Sequence, residues 1–165
     1  TRVPWRMHSE YLYRLYLDNE LATNRLPVDG KLIRLSDIRV PMFVVGTEAD
    51  PVAPWKSVYK VDRLAQSEEF TFLLTSGGHN AGIISGPAHP QRHHRVRTRK
   101  AGEPRLTAEK WLESTGQTPG SWWPTWGEWL RTHSTGERVP PPAMGAPDRG
   151  YVPVADAPGE YVRQR

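Results

Sequence analysis

The sequence predicts an α/β fold in which parallel strands are joined by a crossover helix. Two short apolar runs, residues 42–45 and 70–74, are predicted strands, and the first lacks polar alternation, as is typical of a parallel strand covered on both faces. Between them, Val58, Val61 and Leu64 recur at helical spacing. A strand, helix and strand of this length form a right-handed crossover unit. Such a unit brings the carboxyl ends of both strands to one edge of the sheet.

The segment before these strands is predicted to hold a helix and a hairpin. Residues 7–21 carry apolar side chains at helical spacing, and Pro4 just before them suits a helix start. Asp29 and Gly30 lie between two short apolar segments, a pattern typical of a tight hairpin.

After Pro87 the composition changes to a basic run over residues 91–100. We interpret the His93-His94 pair within this run as part of a solvated loop. The pair suggests a metal site, but adjacent residues on a strand point to opposite faces and no acidic third ligand accompanies them. No metal is therefore expected.

A tryptophan-rich segment, residues 121–130, is predicted to form a short helix. Trp122, Trp126 and Trp129 share one stripe, so we expect this helix to pack on the sheet. The sequence from Val139 onward is rich in Pro and Gly and is predicted to run as an extended tail.

The composition limits the classes of protein to consider. The 165 residues contain 16 Pro, 14 Gly and no Cys, which excludes disulfides and cysteine metal sites. A net charge of +4 slightly favours anionic partners. No apolar run approaches the roughly 20 residues of a membrane span, and no charged-then-apolar leader follows Thr1. We expect neither a transmembrane span nor a signal peptide.

An acid and a histidine follow the two predicted strands. Asp50 comes shortly after residues 42–45, and His79 comes shortly after residues 70–74. An acid after one strand and a histidine after the next is the chain order of the last two members of an α/β-hydrolase triad. The sequence therefore predicts the C-terminal portion of an α/β-hydrolase fold, with Asp50 and His79 as its catalytic residues.

Each of these residues also has a simpler interpretation. His79 alone is compatible with a surface loop, although the neighbouring Gly77, Gly78 and Gly82 permit tight turns near a ligand. Asp50 alone is compatible with a cap for a helix that begins near residue 53. Two further acids, Glu48 and Asp156, are interpreted as solvated.

Several motifs spread over essentially the whole chain carry a family resemblance: residues 1–4, 8–12, 15–19, 46–55, 76–82, 120–124 and 157–162. They resemble the C-terminal part of polyhydroxyalkanoate (poly-3-hydroxybutyrate) synthases, polyester polymerases that join 3-hydroxyacyl-CoA monomers. In that comparison residues 1–35 end a cap region, residues 36–138 belong to the α/β-hydrolase core, and residues 139–165 form the tail.

The resemblance implies a cytoplasmic, granule-associated acyltransferase that acts as a homodimer in its full-length form. Its substrates are 3-hydroxyacyl-CoA and the growing polyester chain, and it requires no separate cofactor. A cysteine in a Gly-x-Cys-x-Gly elbow attacks the thioester. By motif match His79 is the general base and Asp50 orients its imidazole.

Two departures from the family pattern stand out. The elbow cysteine is absent, so the chain alone is expected to be inactive, with the nucleophile upstream in the same protein. Pro51 occupies a position where the family often has a second histidine, so any role of that imidazole is lost.

Three other functions remain open at this stage. The chain is compatible with a non-catalytic granule-binding or synthase-partner subunit that associates through residues 122–130 and the tail. It is also compatible with part of another α/β-hydrolase esterase that has a serine nucleophile upstream. Nucleic-acid binding through the basic run is a more distant alternative.

The predicted sheet has an edge where strands from the preceding part of such a fold would pair. An unpaired strand edge promotes association between chains. We therefore expect the isolated chain to be poorly soluble or to self-associate. Light scattering tests this expectation, and a monodisperse monomer would contradict it.

Overall fold

The computed structural model describes residues 2–89 and 91–164, and the chain divides into two units, residues 1–132 and 133–165. The helices and strands of the first unit are α1 (Trp5–Tyr11), β1 (Leu26–Val28), β2 (Lys31–Ile33), β3 (Met42–Thr47), α2 (Trp55–Tyr59), α3 (Val61–Leu64), β4 (Glu69–Thr75), α4 (His79–Ile83), β5 (His93–Lys100), α5 (Ala108–Ser114), β6 (Gln117–Pro119) and α6 (Trp123–Thr132). Residues 133–164 contain two 3-10 turns, Pro147–Arg149 and Tyr161–Arg163, and an antiparallel bridge between Ala146 and Tyr151.

A mixed four-stranded sheet with the order β3-β4-β5-β6 forms the centre of the first unit. Strands β3 and β4 are parallel, with Met42 opposite Phe70 and Thr47 opposite Thr75. Strand β5 is antiparallel to β4, and β6 is antiparallel to β5. The predicted α/β class with a parallel pair is therefore confirmed, and both predicted strands extend slightly further than expected.

The crossover between β3 and β4 consists of two short helices, α2 and α3, rather than one continuous helix. With α5, which was not predicted, they cover one face of the sheet. The buried aromatic and aliphatic side chains on this face are Tyr59, Phe70, Phe72, Leu74 and Trp111. The rings of Tyr59 and Trp111 meet Phe72 edge-on, at centroid distances of 4.9 and 5.0 Å. This aromatic cluster is the main core.

The tryptophan-rich segment packs against the opposite face. The ring of Phe43 on β3 stacks with Trp122 at 6.5 Å and contacts Trp129 at 5.5 Å. Trp126 lies beside Trp122, with 5.7 Å between ring centroids. The predicted packing of this helix on the sheet is confirmed.

The basic run forms strand β5, so the interpretation of its histidine pair as part of a solvated loop is wrong. His94 is buried, and alternate arginines of the strand find partners on elements that cover the sheet. Arg99 donates to the carboxylate of Asp62, and Arg97 donates to the hydroxyl of Ser114 at 3.1 Å. These intramolecular partners accept hydrogen bonds from the guanidinium groups, and Asp62 also neutralises the charge of Arg99, which is why a polar sequence can lie within the sheet.

The N-terminal segment matches its prediction in part. Helix α1 is followed by a wider π-type turn over Leu12–Leu17, so the helical stretch ends before residue 21. Strands β1 and β2 form the predicted hairpin. Asp29 and Gly30 have φ angles of +49° and +74°, as the tightest hairpin turns require at both central positions.

Strand β3 lies at the edge of the sheet. Among the described residues, it pairs with β4 on one side and with no strand on the other. The open edge expected from the sequence is therefore present.

A buried ion pair is expected to contribute strongly to stability. Asp62 is 2 % exposed and accepts hydrogen bonds from Arg99 at 3.0 and 2.8 Å. Replacing Asp62 by alanine leaves a largely buried guanidinium without its carboxylate. Breaking such a pair costs about 3–5 kcal/mol, so Asp62→Ala should lower the denaturant midpoint markedly.

The control is Glu128→Ala, because Glu128 also pairs with an arginine, Arg131, but on the exposed surface of α6. Exposed pairs contribute little, so this variant should unfold close to the parent protein. Equal midpoint shifts in the two variants would contradict the importance of burial.

Candidate active site

The loops that follow β3 and β4 are joined by backbone hydrogen bonds. The Glu48 N–H donates to the Thr75 carbonyl at 2.9 Å, and the Ala49 N–H donates to the Gly77 carbonyl at 3.0 Å. The two loops therefore remain side by side beyond the ends of strands β3 and β4. This pairing carries the acid and the histidine to the same place at the sheet edge.

Two glycines allow the loops to approach this closely. A Cβ atom at Gly78 would lie 2.9 Å from the carbonyl oxygen of Ala49, and one at Gly82 would lie 2.6 Å from the Thr47 methyl carbon. Any larger residue at either position would push α4 away from the end of β3. The sequence suggested turn-forming glycines near a ligand, whereas these two make room for the neighbouring loop and strand.

The structure brings Asp50 and His79 together. Nδ1 of His79 lies 3.0 Å from Oδ2 of Asp50. The Asp50 side chain is 9 % exposed, whereas that of His79 is 54 % exposed. A carboxylate at this distance favours the tautomer in which Nδ1 carries the proton and donates it to Asp50. Nε2 is then the free acceptor on the other side of the ring.

The second oxygen of Asp50 is held by the backbone. Oδ1 accepts hydrogen bonds from the N–H groups of Val52 at 2.8 Å and Ala53 at 2.9 Å. The Ala53 bond, then the His79 bond and then the Val52 bond lower the pKa of Asp50 from 3.8 to about 2. Asp50 therefore orders the loop before α2 and pairs with His79, but it is not the cap of that helix, which begins at Trp55 without a side-chain cap hydrogen bond.

This arrangement can support general base chemistry. An ionised carboxylate beside Nδ1 fixes the ring and stabilises the imidazolium that forms when Nε2 takes a proton. The half-exposed ring leaves Nε2 accessible to a group from outside the described residues.

A second carboxylate–imidazole pair lies beside the first. Glu48, interpreted from the sequence as solvated, is about one-third exposed and lies within hydrogen-bonding distance of His93, with 3.0 Å between Oε2 and Nε2. The His93 backbone also pairs with Ser76, which joins the start of β5 to the loop that carries His79. Recognising residues 93–100 as a strand would have placed His93 at this edge.

The adjacent histidines His93 and His94 do not converge. His94 faces the other way, with Nδ1 3.2 Å from the Gly120 carbonyl and Nε2 3.3 Å from the Thr125 hydroxyl. Within residues 2–89 and 91–164, no group of three histidine or acidic side chains is arranged to hold a metal ion. Over the same residues, no helix has the length and apolar character to cross a membrane.

Known proteins match this chain along its whole length. The chain is 36% identical over 165 residues to the poly(3-hydroxyalkanoate) polymerase subunit of Rhizobium etli. It is 35% identical over 166 residues to the poly(3-hydroxyalkanoate) polymerase of Methylorubrum extorquens and 32% over 166 to the polymerase subunit of Cupriavidus necator. The chain is homologous to the poly(3-hydroxyalkanoate) polymerases.

This polymerase homologue spans about a quarter of the length of its curated relatives: 25%, 26% and 27% of the three proteins named. No family model matches it. The resemblance indicated by the sequence motifs is confirmed. Because the match covers the entire chain, it includes the segments that carry Asp50 and His79.

The low pKa of Asp50 predicts how the polymerase homologue responds to pH. A carboxyl whose folded pKa lies below its ordinary value stabilises the fold above pH 3.8, and this contribution is lost as the pH falls toward 2. In His79→Ala one of the causes is removed, so the pKa of Asp50 should rise. It should stay below 3.8, because the Val52 and Ala53 N–H groups remain.

Carbon-13 NMR of the aspartate carboxyl groups measures this titration. The control is His93→Ala, which removes the neighbouring imidazole and should leave the Asp50 titration unchanged. A pKa of Asp50 that is the same in the parent and in His79→Ala would contradict the coupling.

Proposed function

We propose that this chain is the C-terminal, acid- and histidine-bearing segment of a poly(3-hydroxyalkanoate) polymerase. In this proposal Asp50 and His79 are two members of a Cys-His-Asp triad on an α/β-hydrolase fold. The observation that carries it is the 3.0 Å contact between His79 Nδ1 and Asp50 Oδ2, which joins the ends of two parallel strands. Homology to polymerases over the whole chain supports it.

The nucleophile in this proposal is a cysteine outside the chain, which itself contains none. Nε2 of His79 removes the thiol proton, and the thiolate attacks the thioester carbonyl of an (R)-3-hydroxyacyl-CoA. A new carbon–sulfur bond forms while the bond to the CoA sulfur breaks. The CoA sulfur leaves as a thiol after taking the proton from His79. Asp50 stabilises the imidazolium between the two proton transfers.

Chain extension uses the same base in the same way. Nε2 of His79 removes the proton of a 3-hydroxyl group as its oxygen attacks the carbonyl of an acyl chain held as a thioester. An ester bond forms, the carbon–sulfur bond breaks, and the departing sulfur takes the proton from His79. One histidine therefore serves both transfers, and no redox partner is needed.

The remaining parts of the proposal follow from the resemblance to the family. The substrates are 3-hydroxyacyl-CoA and the growing polyester chain, and the full-length protein acts as a homodimer at cytoplasmic polyester granules. The preceding part of the protein supplies the cysteine and the strands next to the open edge of β3. The assembled acid–histidine pair argues for a catalytic segment over a purely granule-binding one. Homology to polymerases argues against an unrelated esterase.

The proposed role of His79 can be tested in the full-length polymerase. His79→Ala should lower the rate of CoA release from 3-hydroxyacyl-CoA by about 10²- to 10⁴-fold, the usual contribution of a general base. Chromatographic measurement of free CoA gives this rate, and circular dichroism establishes that the variant is folded.

His93→Ala is a matched control, since His93 is also an imidazole beside a carboxylate at this sheet edge. It should keep most of the activity, because the proposal assigns proton transfer to His79 alone. Near-parent turnover by a folded His79→Ala variant would refute the proposed triad, as would equal losses in the two variants.

A further inference from the structure

Helix α4, which begins with His79, is too short to be stable by itself. It spans the five residues His79–Ile83. Isolated helices of this length do not persist in water, and the last carbonyls of any helix lack partners within it. The position of His79 therefore depends on what holds the other end of α4.

Two indole N–H groups bind the carbonyls at that end. Nε1 of Trp122 donates to the Gly82 carbonyl at 3.1 Å, and Nε1 of Trp123 donates to the Ile83 carbonyl at 3.0 Å. The two donors are adjacent in sequence: Trp123 is the first residue of α6, and Trp122 immediately precedes it. They bind two consecutive carbonyls at the end of the helix, of which that of Ile83 also accepts a hydrogen bond from the Ser85 N–H at 3.0 Å.

Neighbouring polar groups complete this end of the helix. The Ser121 hydroxyl donates to the carbonyl of Ser85, which is fully buried. The carbonyl of Ala81 accepts from the Ser85 hydroxyl at 2.9 Å and from Arg92 Nη2 at 3.2 Å. The carbonyls of residues 81–83 and 85 are thus all bound by side chains, and the segment 121–123 supplies three of the donors.

Trp122 is itself fixed in the core. It is 5 % exposed, and its ring stacks on Phe43 of β3. Strand β3 leads to Asp50, so this indole connects the strand before the acid to the helix that carries the histidine. A shift of Trp122 would therefore change the position of His79 relative to Asp50.

We propose that Trp122 and Trp123 are positioning residues for His79. Their indole N–H groups hold the C-terminal end of α4 and thereby orient the imidazole toward Asp50. In this inference they act on His79 through α4, and no direct role toward substrate is assigned to them. This inference adds the segment 122–123 to the residues that determine the geometry of the proposed site. Only its predicted effect on turnover rests on the proposed function; its predicted effect on the tautomer of His79 does not.

The test uses phenylalanine substitutions in the full-length polymerase. Trp122→Phe removes the N–H donor but keeps an aromatic ring in the core. The matched control is Trp126→Phe, the same change four residues further along the same segment, at a residue that is 40 % exposed and makes no hydrogen bond to α4 within the described residues. Trp122→Phe should lower kcat about tenfold with little change in KM, as expected for one lost hydrogen bond that acts on the reacting geometry. Trp126→Phe should change neither constant.

A spectroscopic measurement tests the inference without relying on activity. Nitrogen-15 NMR of the histidine side chains distinguishes the two tautomers of His79. The parent protein and Trp126→Phe should show one tautomer, protonated on Nδ1, whereas Trp122→Phe should show a mixture. If Trp122→Phe does not fold, Trp123→Phe provides the same comparison at a residue that is 37 % exposed.

Unchanged His79 signals and an unchanged kcat in a folded Trp122→Phe or Trp123→Phe variant would overturn the inference. Equal losses in these variants and in Trp126→Phe would also overturn it, since they would indicate general destabilisation.

Failure of the proposed function would be observed differently, as turnover retained by His79→Ala. The tautomer ratio of His79 in Trp122→Phe would still decide whether the indoles position the imidazole.

Discussion

The paired course of the loops after β3 and β4 is the constraint on which the rest of the site depends. Thr47 lies opposite Thr75 at the end of the parallel pair, and two backbone hydrogen bonds continue the pairing beyond it. Both strands bury side chains on two faces, so a slip by one residue would exchange the two faces of a strand. The register that fills the core therefore also sets the separation of Asp50 and His79.

Steric and polar contacts then fix the histidine from two sides. Gly82 lies against the Thr47 side chain, where a Cβ would collide with the strand, so α4 must rest directly on the end of β3. From the other side, the indole of Trp122 binds the carbonyl of the same glycine. Gly82 thus contacts strand β3 because it has no side chain, and its backbone carbonyl binds the indole of Trp122, the residue just before α6. This explains how a helix of five residues can hold a half-exposed imidazole in place.

The parts of this arrangement that follow local patterns could be predicted from the sequence. The apolar runs, the crossover and the acid–histidine order placed Asp50 and His79 at one edge, and the structure brings them together. Strand β5 could not be predicted, because its arginines are satisfied by partners such as Asp62 and Ser114, which are distant in sequence. The indole contacts to α4 were missed for a similar reason, since a tryptophan stripe predicts packing but not a hydrogen-bond acceptor.

The two members of the acid–histidine pair differ in how fully this chain surrounds them. Asp50 is nearly buried, and each of its oxygens has a partner, so its environment is complete and its charge is held by backbone amides and by His79. The His79 side chain is more than half exposed. Its ring is oriented through Nδ1, while Nε2 faces away from the acid. In the proposed function, the exposed side of His79, which carries Nε2, is therefore the side from which a nucleophile must approach. In that proposal, this chain contains the groups that orient the base, and the rest of the polymerase supplies the thiol on which the base acts.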